Sequence, residues 1–434
     1  MKTLFTTILF YTIAINLLGQ NLDKEVNAIY PEIEKLYIHL HQNPELSFQE
    51  VETSKTLASE LEKIGFEVTQ NIGGYGLVGV LKNGSGPVIL VRTDMDALPV
   101  VEQTGLSYAS TIKTELNNNE VGTMHACGHD VHMSVFVGTA QILADLKNKW
   151  KGTLVFVAQP AEERASGAEA MIEDGLYQKF PVPDYGISLH TNAAIPAGKV
   201  GVRSGYALAN VDMIDITVYG KGGHGAYPHM TIDPVVLSAR IILALQTIVS
   251  RELSPLEPAV VTVGSIHGGN KGNVIPGEVK LELTIRSYTE EVRSATIEKI
   301  KRICNGIAFS AGLPEDKYPE VFIRDESTYS LYNDPDLTNR LKVVFEKSIG
   351  AENVLETEPT MGGEDFSMFG RTDEKVPILQ YWLGTVDPEV KKKADRGEIE
   401  LPSLHSPFYA PLPEPTLKTG IKTMTAGVLD LLNN

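Results

Sequence analysis

The segment His125-Ala-Cys127-Gly-His129-Asp130 sets a soft thiol and an imidazole two positions apart. About thirty residues later two carboxylates stand side by side, Glu162 and Glu163. One carboxylate is available to bind a cation and the other to move protons, which are the parts of a metal-assisted hydrolase. His190 and His405 extend the set. Cys127, His129, Glu163, His190 and His405 make five candidate ligands, too many for one tetrahedral zinc and suited to two divalent ions that share a bridging group. In a site of that kind a bridging water becomes hydroxide near neutral pH while a metal polarises the scissile carbonyl. A carboxylate must carry the water's proton to the leaving amine, and Glu162 is placed for that. Asp96 is the candidate to orient a metal-bound imidazole, and Asp94 would do the same or cap a turn.

Taken singly, each of these residues has a plainer reading. The Cys-Gly-His-Asp run also suits an ordinary helix entry with Asp130 as N-cap. His39 and His41 read as residues of an ordinary helix face, His125 and His132 as supporting or packing residues, and His229 and His267 as loop residues. The combination favours chemistry because the polar groups gather at the ends of expected strands. Residues 88–91 run into Asp94-Met-Asp96, residues 153–158 into Glu162-Glu163, and residues 185–189 into His190. Ligands of open α/β sheets bind outside those carboxyl ends.

The elements that must hold these groups alternate. Residues 23–41 and 48–64 carry helical spacing; 66–69, 77–81 and 88–91 read as strands, with a hairpin turn at Asn83-Gly-Ser-Gly. Gly74-Tyr-Gly-Leu-Val-Gly79 spells a dinucleotide fingerprint but opens a strand, so a phosphate would find no helix N-terminus. A helix at 131–146, a strand at 153–158, a helix at 167–174 and a strand at 185–189 continue an α/β sheet. From 206 to 319 the pattern changes to strands at 211–219, 259–266 and 279–287 with helices at 234–251 and 290–310. The α/β pattern resumes with 337–348, 376–383 and 417–432. The expected fold is a mixed-sheet catalytic domain with helices on both faces, over 21–205 and 320–434, interrupted by a smaller α+β domain over 206–319. That insertion holds a second polar cluster, Gly222-Gly-His224-Gly, Asn273-Val-Ile-Pro and Arg286. The glycines would let backbone approach a ligand closely, and Arg286 could clamp a substrate carboxylate with two hydrogen bonds.

At 434 residues the chain is long enough for two domains, and its net charge of −17 argues against nucleic acid as a partner. Residues 1–20, one lysine and then an interrupted apolar stretch, fit a cleaved secretory signal and not a stable membrane span. A secreted or periplasmic location is therefore expected. Of the two cysteines, Cys127 is committed to metal, so no disulfide with Cys304 is expected.

Six motifs together resemble the dinuclear metallo-amidohydrolases, the hippurate hydrolases, auxin-conjugate hydrolases and N-acyl-amino-acid deacylases. They are Arg92-Thr-Asp-Met-Asp-Ala-Leu-Pro, His125-Ala-Cys-Gly-His-Asp-Val-His, Gln159-Pro-Ala-Glu-Glu, Gly220-Lys-Gly-Gly-His-Gly-Ala, Asn273-Val-Ile-Pro and Gly362-Gly-Glu-Asp-Phe. The resemblance runs from about Ile29 to the C-terminus; Ser134 departs from it, standing where a small apolar residue is usual. It implies that the insertion is a lid that mediates dimerisation. It also implies that His224 reaches a neighbouring subunit's active site to stabilise the oxyanion, and that Asn273 and Arg286 contact the substrate's carboxylate end. The Gly362-Gly-Glu364-Asp365 segment would border the pocket. Cys127 would take the place of a bridging aspartate.

The expected activity is hydrolysis of the amide of an N-acyl amino acid, with zinc or manganese as the two ions and a homodimer as the assembly. A metallodipeptidase or carboxypeptidase is the alternative. A catalytically silent solute- or metal-binding protein is the alternative outside enzymes; it has no use for Glu162.

Overall fold

The computed structural model describes residues 3–433, with side chains from Leu22 onward. The expected secretory signal at 1–20 lies outside the residues described at side-chain level. The chain divides into two units: residues 1–205, 332–358 and 365–434 form the larger, residues 206–331 and 359–364 the smaller.

The larger unit is built on eight strands. In chain order they are β1 (Glu67–Ile72), β2 (Gly76–Asn83), β3 (Val88–Asp94), β4 (Gly152–Gln159), β5 (Tyr185–Pro196), β6 (Val200–Val202), and, after the smaller unit, β13 (Val354–Glu356) and β14 (Ile378–Val386). Their order across the sheet is β1-β2-β4-β3-β5-β14-β6-β13. The central β4, β3, β5 and β14 are parallel, so their carboxyl ends share one edge. Alternation along these strands sends side chains to both faces. Ile89, Val91, Leu154, Phe156, Ile187 and Leu189 join the core formed with α1 (Thr3–Gln42), α2 (Val51–Ile64), α3 (His129–Asp145), α6 (Pro335–Ile349) and α7 (Pro413–Leu432). On the other face Gly186 leaves room for Phe366, in the short helical stretch at Asp365–Gly370, and a Cβ there would lie 3.7 Å from its ring and 3.9 Å from Leu90.

Helix α3 starts one residue after Gly128, which holds the N-cap position; Asp130, expected there, is already inside the helix. Its carboxylate instead meets His41 Nδ1 at 2.6 Å, while His41 Nε2 meets Glu102 Oε1 at 3.2 Å. His41 is therefore no ordinary helix-face residue: it is buried between two carboxylates.

The smaller unit carries β7 (Asn210–Tyr219), β8 (Gly223–His224), β9 (Ala259–His267), β10 (Val274–Ile275), β11 (Glu278–Ser287) and β12 (Glu320–Ile323), with α4 (Pro234–Thr247) and α5 (Glu290–Ser310). Its main sheet runs β9-β11-β7-β12, all antiparallel. The expected boundary at 319 is short by a strand, because β12 pairs with β7 and the unit extends to Leu331. His267 ends β9 and is not a loop residue. Among the described residues, Pro234–Glu252 alone is long and apolar enough to cross a membrane. Its stripe Leu237, Ile241, Leu245 and Ile248, at helical spacing, is buried in this unit's core.

Burial lowers the basicity of His41, but its hydrogen bonds to Asp130 and Glu102 outweigh burial and raise its pKa from 6.5 to about 10. The group thus stabilises the fold fully below pH 6.5 and progressively less as pH rises towards 10. We predict that His41→Ala, which leaves two buried carboxylates uncompensated, costs about 3–5 kcal/mol at neutral pH. In urea unfolding the gap between wild type and variant should narrow from neutral pH towards pH 10; a gap independent of pH would refute the charged triad.

Candidate metal centre

Backbone geometry comes first. β3 ends at Asp94 and β4 at Gln159, in register. β5 does not stop at His190 as expected but runs on to Pro196. Because Arg92 aligns with Ser188, His190 still lies level with Asp94 at the same sheet edge. Cys127 sits in the turn before α3, His129 is that helix's first residue, and His405 occupies a loop whose N–H bonds back to Ala126 O at 2.9 Å.

All five expected ligands meet there. Cys127, His129 and His190 have donor atoms within 4.8 Å of one another, and so do Cys127, Glu163 and His405. The two triads together use each of the five residues and share only Cys127. Its Sγ lies 3.5 Å from His190 Nε2 and 3.3 Å from His405 Nε2. His129 Nε2 and Glu163 Oε1, 3.8 Å apart, are buried and have no hydrogen-bond partner. Two orphaned donors facing one another, with a thiol between two imidazoles, suit divalent cations.

Supporting contacts prepare the imidazoles as ligands. His129 Nδ1 bonds the carbonyl of Asp96 at 2.8 Å and His190 Nδ1 the carbonyl of Thr191 at 2.8 Å. A carbonyl only accepts, so both protons lie on Nδ1 and both Nε2 lone pairs face the centre. Burial, then neighbouring His132, lowers the basicity of His190 and keeps it neutral. Burial and the carboxylates of Glu163, Glu162 and Asp94 push the Cys127 thiol well above its usual value, so a thiolate there needs a cation beside it. Burial, opposed by His129 and reinforced by Asp96, raises the Glu163 pKa to about 7.

Asp96 faces His129 through both its polar groups: its carbonyl lies 2.8 Å from Nδ1 and its carboxylate Oδ1 3.5 Å from the same atom. The carboxylate accepts from the backbone N–H of Glu162 at 3.1 Å and of Glu163 at 3.0 Å, and from Ser47 Oγ at 2.6 Å. Asp94 and His132 are a strut. Arg92 Nη1 donates to Asp94 Oδ2 at 2.8 Å, His132 Nδ1 to Asp94 Oδ1 at 2.6 Å, and Thr191 N–H to His132 Nε2 at 2.8 Å. With both ring nitrogens engaged, His132 has none left for metal. Thr191 Oγ1 then donates to Cys127 O at 2.7 Å, tying the His190 strand to the cysteine turn. His125, expected in support, is buried 3% exposed with neither ring nitrogen bonded. Asp365 is buried; its carboxylate braces Gln159, Arg92 and the N–H of Ala168. Thr191, Arg92's strut and Ser47 were missed in the sequence, since nothing local marks them.

Glu162 Oε2 lies 3.9 Å from His129 Nε2, with its side chain 10% exposed. It borders the donor set and reaches solvent, as a proton carrier requires.

In the smaller unit His224 and Asn273 come together: β8 pairs with β10, and Gly225 N–H donates to Asn273 O at 2.9 Å. The glycines serve this ribbon and not a ligand, since a Cβ on Gly222 would lie 2.7 Å from Ile275 O. Exposed His224 accepts from Ala226 N–H at Nδ1, which leaves its proton on Nε2, free to donate. Arg286 is not with them. It aligns with Val211 at one end of β7, whereas Glu278, near the ribbon, aligns with Tyr219 at the other. Eight strand residues separate them, roughly 26 Å at ~3.3 Å each. Arg286 is half-buried and donates to Met361 O.

Residues 90–405 match the family model of peptidase family M20/M25/M40. Thermostable carboxypeptidase 2 of Saccharolobus solfataricus is 36% identical over 378 residues, 85% of this chain and 89% of that protein. N-acetylcysteine deacetylase of Bacillus subtilis is 37% identical over 348 residues, 80% and 86% of the two chains. A crystal structure from Bacillus subtilis, described as a dinuclear metal binding peptidase from the M20 family, superposes with a TM-score of 0.74 at 30% identity, covering 94% of this chain and 99% of that one.

Gly128 is the local weak point. Its φ of +83° favours glycine, and a Cβ there would sit 2.6 Å from Thr191 Oγ1, the hydroxyl that holds Cys127. Gly128→Ala should weaken zinc or manganese binding about 10- to 100-fold, the range seen when a metal site's supporting contacts are broken. Titration of the metal-stripped protein, with circular dichroism to confirm the fold, checks this; wild-type affinity in a folded variant would overturn it.

Proposed function

The chain belongs to peptidase family M20/M25/M40 and is a metal-dependent hydrolase of linear amides, and on that footing we propose that it cleaves N-acyl amino acids to a carboxylic acid and a free amino acid. The observation that carries this reading is the pair of donor triads sharing Cys127, with the Glu162 carboxylate beside them. Cys127, His129 and His190 would hold one ion, and Cys127, Glu163 and His405 the other. Bound ions supply a more acidic water and a polarised amide carbonyl. The rest falls to the chain. Glu162 takes the proton from the attacking water and returns it to the amine as the C–N bond breaks. Asp96 keeps Glu162 and Glu163 side by side. Arg286, permanently charged, is the group suited to the amino acid's carboxylate.

A carboxypeptidase or dipeptidase reading has support of its own in the 36% identity to a protein named carboxypeptidase. The two differ in the acyl group they accept, not in the chemistry. Hydrolysis measured across N-acyl amino acids and dipeptides decides between them. Chelator should abolish turnover and zinc or manganese should restore it. Glu162→Gln should lower kcat by about 10²- to 10⁴-fold, the usual contribution of general acid–base catalysis. Full activity in either experiment sinks the mechanism.

We further propose that His224 acts on a partner subunit's site, in a homodimer formed through the smaller unit. The separation of His224 from Arg286 supports this, since one small substrate cannot span it within one copy. So do the free edge of β9 and the exposed apolar residues Val236 and Leu243 of α4, 57% and 73% exposed. The Nε2–H of His224 would then donate to the oxyanion of the tetrahedral intermediate, with Asn273 beside it. Mixing inactive His224→Ala with inactive Glu162→Gln, after dissociation and reassociation, should restore up to about a quarter of wild-type activity, the share of complete sites expected from random two-fold pairing. No recovery in confirmed mixed dimers would count against action in trans.

A further inference from the structure

The turn that carries the two glutamates departs from relaxed backbone. Ala161 and Ala165 bracket it, both at φ +50°, a left-handed conformation that residues other than glycine rarely adopt. Such geometry persists only where the surroundings over-determine it. Three successive N–H groups, those of residues 161, 162 and 163, point out of the turn, forming a concave donor set of the kind that receives anions. The chain supplies the acceptors itself. Asp96 takes the N–H of Glu162 and Glu163; Ala161 N–H donates to Glu50 Oε1 at 2.8 Å.

Glu50 is in an unusual position for that task. It is fully buried and occupies the N-cap position of α2, yet its side chain makes no bond to that helix. Glu45 caps α2 in its place, accepting from the N–H of Glu52 and Thr53. The Glu50 carboxyl is turned away, towards the glutamate turn. Oε1 also receives the N–H of Phe48, itself at φ +59°, and Oε2 is buried with no hydrogen-bond partner. The link 45–50 thus meets the turn at two points, the Phe48 ring 5.9 Å from the Arg164 guanidinium and Glu50 on Ala161, while Ser47 bonds Asp96, the residue that holds the turn's other N–H groups. Burial, then the charge of Asp96, pushes the Glu50 carboxyl up to about 8, so its neutral form is the one the site accommodates.

We infer that Glu50 is a positioning residue for catalysis: by accepting the N–H of Ala161 it holds the strained turn that aims Glu162 at the reacting water. The inference rests on Glu162 as the proton carrier. What Glu50 must supply is an acceptor at Oε1, not a charge, and that separates it from a generic buried acid. With the acceptor removed, the Ala161 N–H is left buried and unpaired, and the turn relaxes towards ordinary dihedrals. Glu162 then moves out of line, and displacement of that size is enough to slow a proton transfer without disturbing substrate binding.

The test compares Glu50→Ala, Glu50→Gln and Glu162→Gln in the metal-loaded protein. The N-acyl amino acid turned over fastest by wild type serves as probe, and metal content and thermal midpoint are measured alongside. Glu50→Ala should lower kcat about 30-fold, about 2 kcal/mol in barrier at 1.36 kcal/mol per tenfold, with KM and metal content unchanged. Glu50→Gln, which keeps the acceptor and fills the place of the orphaned Oε2 with an amide, should recover kcat to within about 3-fold of wild type, under 1 kcal/mol on the same scale. Wild-type kcat in Glu50→Ala overturns the inference, as does Glu50→Gln no better than Glu50→Ala, or loss of metal in step with kcat. If Glu50→Ala does not fold, Glu50→Gln and Glu50→Asp carry the test. The shorter Asp, which places its oxygen out of reach of Ala161, must then fall well below Gln. Full activity in Glu162→Gln instead sinks the proton-carrier reading, whatever the Glu50 variants do.

Discussion

One residue just past the end of a strand connects nearly every part of the centre. Asp96 follows β3 by two residues, and both its polar groups are committed. The carbonyl fixes the tautomer of His129, so that Nε2 presents a lone pair. The carboxylate accepts the consecutive N–H groups of Glu162 and Glu163. A ligand on α3 and a ligand and a base on the turn after β4 are thereby referred to one backbone position. Charge-assisted bonds of this kind are shorter and stronger than neutral ones, and in a buried site they are not diluted by water. Ser47 closes the arrangement from the N-terminal segment, so the link between α1 and α2 belongs to the site although it carries no ligand.

The electrostatics follow from what remains unmatched. Asp94 would be costly alone in the interior. Burial works against its charge, but His129, His132 and Arg92 prevail and hold it well below the usual carboxylate range. His41 likewise matches Asp130 and Glu102 behind α3. Asp365 is matched by Arg92 and Gln159. These ion pairs and struts are complete within the protein. By contrast, Oε1 of Glu163 and Nε2 of His129 are buried without a hydrogen-bond partner, and the thiol of Cys127 meets the imidazoles of His190 and His405. Buried ligand atoms that lack partners and face a common point suit something positive at that point.

How much of this could be read from sequence depends on the length scale of each interaction. The α/β alternation was legible, because strand and helix periods are local. So was the gathering of Cys127, His129, Glu163, His190 and His405, because the parallel sheet places successive strand ends at one edge. Roles that depend on partners far along the chain were not legible. His41 looked like a helix-face residue since its partners, Asp130 and Glu102, lie 89 and 61 positions away. Glu50 fell inside the expected helix 48–64, and only the fold shows that it precedes α2 and that Glu45 does the capping. The carboxylate of Asp96 approaches His129 as its type suggests, but sequence names a side chain and not a carbonyl, so the closer bond from Asp96 O was not legible. The boundary at 319 failed for a related reason: β12 has four residues and pairs with a strand about a hundred positions earlier.

The smaller unit shows the same separation of local and distant information, with a consequence for function. His224, Asn273 and Arg286 look like one cluster when read as polar residues of one insertion. The antiparallel register of β7 and β11 divides them, with Arg286 near one end of the sheet and the ribbon of His224 and Asn273 beyond the other. Glycine placement sharpens the point, because Gly222 and Gly225 are spent on the close approach of ribbon strands and not on a ligand. A substrate-sized pocket needs its donors within several ångströms of one another, and a rigid four-stranded sheet cannot fold back to bring its ends together. If both ends serve the same chemistry, they must do so at different copies of the site. The geometry of a single strand pair thus turns the question of which residues bind substrate into a question about assembly.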